Sequence, residues 1–311
     1  MKNLRIKYKY YFGVLFLLLI LVGCKDKFEE FEEYRPSEYI VFTAALNNDV
    51  QAEVTRGGFS YLSIEEEEWA LSATKKSKIT RGALVSSLEG LNVGIYGYTT
   101  TSDKTEVFDN ALFKFVDNED LLPDGNPIKW SSIADKSLKV FAYAPKMTLS
   151  DWNPTSGDPT INYTVPTTVS QQKDIIVASR EVAKNYNQYI PLTFKHVLTG
   201  IRFKVGFSCV VKSLKVEGVY GEGTYKLGDA WSGQKTKTTF NLITDGSASY
   251  SKGAMLTDDS NTLMMIPQLL PEGAKVILEY EGGTREASLA GLKWEPGKLI
   301  TYTINEEEVT P

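Results

Sequence analysis

The sequence predicts an all-β protein: two sandwich-like domains in tandem behind a short N-terminal targeting segment. Three observations predict it. Apolar residues recur with a period of two in many short runs, as in Leu91-Val93-Ile95 and Ile201-Phe203-Val205-Phe207. Gly, Pro, Asn and Asp cluster between the runs, which is the punctuation of short strands and tight turns. Removing the first 23 of 311 residues leaves 288, enough for two domains of ordinary size.

The targeting segment comes first. Lys2, Arg5, Lys7 and Lys9 precede an almost unbroken apolar stretch from Tyr10 to Val22. It ends too abruptly for an ordinary membrane-spanning helix. The stretch closes on Leu21-Val22-Gly23-Cys24, which resembles the lipobox of bacterial lipoprotein signals. That resemblance implies a lipoprotein signal peptide over 1–23, cleavage before Cys24, and lipidation of Cys24. It further implies acylation of the freed amine. A single acyl chain binds a membrane only marginally, so several chains are what give a lasting anchor. Lys25, next in line, does not resemble the Asp signal for inner-membrane retention, so an outer-membrane anchor is expected. Residues 24–37 form an acidic tether rich in Asp26, Glu29, Glu30, Glu32 and Glu33. The tether reads equally as a surface-export tag or as a plain solvated linker.

The body follows. A first strand is expected from Glu38 to Ala45. It carries Tyr39 and Val41 on one face and Ile40, Phe42 and Ala44 on the other, a pattern that predicts burial on both sides. A long polar segment runs from Asn47 to Gly82, broken by Gly57-Gly58. Within it Glu65–Lys78 passes from acidic to basic, which suits a short helix and its dipole. Strands are expected over Leu91–Tyr98, over Leu138–Ala144 up to Pro145, and over Ile161–Val165 up to Pro166. Val177–Asn187 is a second helical candidate and the end of the first domain, 38–187. The second domain, 188–311, opens on Leu192–Gly200 and continues through Ile201–Phe207 and Leu214–Gly218. Asp245-Gly246 marks a turn, Gly282-Gly283 a hairpin between Val276–Tyr280 and Thr284–Leu289, and Leu299–Ile304 the closing strand.

Composition narrows function by exclusion. A net charge of −5 argues against a nucleic-acid partner. Of two cysteines, Cys24 is assigned to lipid, so Cys209 has no partner and no intrachain disulfide is expected. His196 is the one histidine; between Phe194 and Val197 it reads as a core or interface residue. No Cys pair at zinc spacing, nucleophile elbow or phosphate-binding loop occurs. Gly221-Glu222-Gly223 reads as a turn, since Lys226 stands where a dinucleotide fingerprint needs Gly. The acidic stretch from Asp117 to Gly125 lacks the calcium-loop pattern and reads as a solvated loop. Hence no catalytic residue, cofactor or metal is expected. Trp152, in Asp151-Trp152-Asn153-Pro154, is the candidate for surface recognition, because an exposed indole stacks on sugar rings.

Taken in order, several segments resemble the fimbrillin-like family, the lipoprotein pilins of anaerobic Gram-negative bacteria. They are the lipobox, Glu38–Ala44, Ile79-Thr80-Arg81-Gly82-Ala83, Ile95-Tyr96-Gly97-Tyr98, Trp130 ahead of Leu138–Pro145, Asp174–Ala178, Leu192–Gly200 and Trp294-Glu295-Pro296-Gly297-Lys298. The resemblance implies two transthyretin-like sandwiches and a structural, adhesive pilus subunit, not an enzyme. It implies assembly by strand exchange: a protease cuts after an Arg, the first strand leaves, and a strand of the next subunit fills the groove. Thr55-Arg56-Gly57 and Thr80-Arg81-Gly82 both match the cut pattern, and Tyr39, Ile40, Val41, Phe42, Thr43 and Ala44 form the removable strand. Implied partners are other pilin subunits, the processing protease, the outer membrane through the lipid, and a host protein or glycan. The short stretch after Asn305 leaves no extra donor strand, which suits a tip or accessory subunit. The competing reading is a surface glycan-binding lipoprotein that never polymerises.

Overall fold

The computed structural model describes residues 35–47, 54–59, 61–68, 85, 87–116, 120–133, 136–149, 151–183, 186, 188–257 and 261–307. Cys24 and Arg81 lie outside them. Regular structure in the described residues is β-strand and short 3-10 turns, so the all-β class holds.

Seven strands close into a barrel around one core. In chain order they are β1 (Phe42–Leu46), β4 (Asn92–Thr99), β5 (Glu106–Phe115), β6 (Asp120–Pro123), β7 (Leu138–Ala144), β9 (Ile176–Val182) and β10 (Ile190–His196). Around the ring they run β1-β10-β9-β7-β4-β5-β6. The period-two residues of β4 and β7 explain the wall: Val93, Ile95, Val140 and Ala142 point into the barrel core. Tyr96, Tyr98, Phe141 and Tyr143, on the opposite face, join the second core instead. A strand buried on both faces reads as a near-continuous apolar run, as Leu138–Ala144 does.

The second core lies between two sheets. One is five-stranded, in the order β15 (Leu263–Met265), β11 (Thr199–Val205), β20 (Lys298–Ile304), β3 (Leu62–Glu68), β2 (Val54–Phe59). The other is six-stranded and centres on the long β12 (Cys209–Lys226), flanked by β13 (Trp231–Ile243) and β17 (Lys275–Tyr280), with β18 (Gly283–Ser288) beyond and β8 (Thr160–Thr164) and β14 (Ala248–Tyr250) attached to β12. The β17–β18 hairpin and the turn at Asp245, with φ of 52°, fall where the sequence places them.

Several expectations are corrected, among them the turn at Gly221-Glu222-Gly223, which lies inside β12 and pairs with β8. The described residues of Val177–Asn187 are not helical: β9 fills the first half, because pairing to β7 on one side and β10 on the other outweighs local preference. Glu65–Glu68 is also strand, since β3 supplies an antiparallel neighbour to β20. Ile190–His196 belongs to the barrel, while β2, β3 and β8, earlier in the chain, belong to the second core's sheets. The first strand proper is Phe42–Leu46; Tyr39 makes only an isolated bridge to Lys129, and Ile40 and Val41 are buried ahead of the ladder.

Candidate functional site

The slot holding β1 is built by two neighbours of opposite sense. β1 pairs parallel with β10, from Phe42↔Ile190 to Leu46↔Phe194, and antiparallel with β6 at Phe42↔Leu121 and Thr43↔Asp120. Backbone bonds secure both ends: the Ile190 N–H donates to the Val41 carbonyl at 2.9 Å, and the Asn47 N–H to the Phe194 carbonyl at 2.8 Å. Ahead of the strand, the Trp130 indole donates to the Pro36 carbonyl at 3.0 Å. Phe42 and Ala44 point into the barrel, where the Phe42 ring meets Phe113 at 5.3 Å and Phe108 at 5.8 Å, both edge-on. Thr43 is half-buried and Ala45 is exposed, so within Phe42–Leu46 burial is one-sided, while Val41, just ahead of it on the other face, is fully buried. A barrel wall has one inner face, and alternation follows from that.

The two arginines stand differently. Arg56 lies within β2, its backbone paired with Ile64 of β3. Arg81 follows β3 in the sequence and precedes β4. Trp152 is half-buried: its indole donates to the Gly157 carbonyl at 2.9 Å, and its ring packs 5.1 Å from Tyr96 and 5.9 Å from Tyr98. It is thus packed between the barrel's outer face and the loop it starts from, and offers no open stacking platform.

One polar pair escapes sequence reading. Asp174, just before β9, and His196, at the end of β10, are both buried, with Oδ2 and Nδ1 2.6 Å apart. The Val85 N–H donates to the same Oδ2 at 3.1 Å. Nothing local signals the pair, apart from His196 being the lone histidine. Beside it opens a cleft of about 530 Å³, lined by His196, Trp231, Gln268, Leu269 and Trp294 among others. Its polar groups are largely spent within the protein. The Trp231 indole donates to the Val197 carbonyl at 2.6 Å, and Gln268 binds the Tyr220 backbone through both ends of its amide. Burial pushes the Tyr225 hydroxyl on its wall up to about 12. Among the described residues no three His, Cys, Asp or Glu side chains gather as metal ligands would. Cys209, half-buried at the start of β12, is a free thiol whose pKa burial raises.

The comparisons with known proteins agree with this architecture. The sequence model described as fimbrillin-like matches residues 80–310. The chain belongs to the fimbrillin-like family. No curated protein matches the sequence. Among solved structures, a candidate cell-adhesion protein from Bacteroides uniformis is 15% identical, with a TM-score of 0.54 over 87% of this chain and 94% of that one. A second, from Bacteroides ovatus, is 14% identical with a TM-score of 0.55, over 86% and 92%. The fimbrial anchor protein Mfa2 from Porphyromonas gingivalis is 12% identical with a TM-score of 0.37, over 66% and 76%. Members of the fimbrillin-like family are structural pilus proteins, so this fimbrillin-like chain is a cell-surface fimbrial protein and not an enzyme.

Proposed function

We propose that this fimbrillin-like chain is a lipid-anchored pilus subunit, held to the outer membrane through Cys24, that joins other subunits when its first strand is cut free. The observation that carries the proposal is the seating of β1. Among the described residues it is the one strand joining β10 to β6, and it closes a barrel whose other strands form a continuous path without it. A groove left by β1 has strand edges on both sides and an apolar floor of Phe108, Phe113 and Leu121. That is a receptor for an extended strand, with backbone bonds giving affinity and alternate side chains specificity. The glycan-binding alternative loses its support with Trp152 packed against Tyr96 and Tyr98.

The test is limited proteolysis with an Arg-specific protease, then sizing and N-terminal sequencing. Loss of the β1 segment and uptake of a strand from added pilin are expected. A cut chain that retains β1 and stays monomeric beside donor pilins would refute the proposal.

A further inference from the structure

The hairpin that follows β1 does not stay in the barrel. β1 ends at Leu46 and β4 begins at Asn92, both in the barrel, yet β2 and β3 between them lie on the other core's sheet. There β3 pairs antiparallel with β20 along its whole length, from Lys298↔Glu68 to Ile304↔Leu62. On the core side, buried Leu62 and Ile64 stand opposite Ile304 and Tyr302. On the other side the Glu65 carboxylate holds Lys204 at 2.7 Å. The Asn305 amide donates to Ser63 Oγ at 3.1 Å and to the Tyr61 carbonyl at 3.3 Å. β2 is the outermost strand, so the hairpin covers the whole β20 edge.

Chain order now separates the two arginines. Arg56 precedes β3, so a chain cut there keeps β3 covalently attached to the body. A cut between β3 and β4 leaves β1, β2 and β3 together without a covalent hold. We propose that the β2–β3 hairpin is a removable cover, and that its departure opens a strand-pairing edge along Lys298–Ile304 for β20 of a second copy of this chain. The inference rests on the strand-release reading above.

With β3 gone, β20 keeps only its parallel neighbour β11 in the ladder. Its free edge then presents unpaired backbone groups beside an apolar row, which is a template for another strand. β20 suits itself as partner. It carries one charge, Lys298, in seven residues. In a two-fold antiparallel pair centred on Thr301, Lys298 faces Ile304 and not its own copy. Ile300 then faces Tyr302, refilling the row that Leu62 and Ile64 vacate. A two-fold contact uses the same patch on both chains and closes as a dimer. It therefore ties two subunits side by side and does not lengthen a polymer.

The test uses the chain from Lys25 onward with Cys209→Ser, so that Thr301→Cys adds the sole thiol. An Arg56→Ala version is cut between β3 and β4, and an Arg81→Ala version is cut at Arg56. In the first, shedding of the N-terminal piece should be followed by a doubling of mass and a disulfide dimer through position 301. The second should remain monomeric and uncrosslinked. Hydrogen exchange on the chain without Thr301→Cys covers the chance that the substitution disturbs folding: amides of Lys298–Ile304 should stay protected in the dimer. A chain that has shed β1 and β3 yet stays monomeric overturns the inference, as does a dimer dissolved by excess peptide 39–47, which would place the joint in the β1 slot. A cut chain that keeps the piece even after passage through urea sinks the release reading itself, and this inference with it.

Discussion

Replacing Phe42 by Ala tests how β1 is locked. The Phe42 side chain is fully buried, and its ring meets Phe108 and Phe113 edge-on at 5.8 and 5.3 Å. Truncating such a ring loses transfer free energy and leaves a cavity, together about 3–5 kcal/mol. The aromatic pairs lie inside that figure at about 0.5–1.5 kcal/mol each. A whole domain is stable by about 5–15 kcal/mol, so Phe42→Ala should remove a large share of it. Urea titration followed by tryptophan fluorescence measures the loss. Ala45→Ser is the control, since Ala45 is exposed on the same strand and an exposed substitution should stay within about 0.5 kcal/mol. The pair also tests register, because a one-residue slip would exchange the two faces. Equal effects at Phe42 and Ala45, or a loss under about 1 kcal/mol at Phe42, would refute the seating of β1.

Further outcomes follow from other contacts. His196→Ala leaves the buried Asp174 side chain without its partner at 2.6 Å and should cost about 1–3 kcal/mol by urea titration; a change within about 0.5 kcal/mol would show the pair to be idle. Burial raises the pKa of Tyr225 to about 12, and raises Tyr96, Tyr98, Tyr163 and Tyr302 as well. The folded state therefore holds these protons longer than the unfolded chain does. The stability they contribute is complete below about pH 10 and is lost as pH rises through the folded values. Tyrosinate absorbance should show a late group of tyrosines titrating with unfolding, whereas one uniform step near pH 10 would contradict this. Cys24→Ser should abolish incorporation of labelled fatty acid in cells, and undiminished label would remove the lipid anchor.

Local patterns were legible in the sequence and distant partners were not. β4, β7 and β11 announce themselves because each repeats apolar residues at period two over a full strand length. β9 does not: Ser179, Arg180 and Glu181 are exposed, and their polarity hides a strand whose order comes from ladders to β7 and β10. β3 is harder still. Its Leu-Ser-Ile-Glu-Glu-Glu-Glu sequence has two inward apolar residues, and the partner that makes it a strand is Lys298–Ile304, at the other end of the chain. The same holds for the site. The apolar character of the first strand was visible, but its one-sided burial depends on β10 and β6, and the Asp174–His196 pair exists only because β9 and β10 are neighbours.

Release of β1 without collapse of the body demands that its burial and the body's cohesion be separable, and the two cores meet that demand. Ile40, Phe42 and Ala44 all belong to the barrel's inner core, and none belongs to the second. The second core is fastened to the barrel elsewhere, by Tyr96, Tyr98, Phe141, Tyr143 and Val177 on the outer faces of β4, β7 and β9. Those strands are paired to one another over their lengths and share no ladder with β1. Losing β1 therefore opens the inner core between β10 and β6 while leaving the seam intact. β3 is the opposite case, since Leu62 and Ile64 sit in the second core itself. A cut between β3 and β4, followed by the proposed release, would therefore loosen both cores at their edges and spare the seam between them.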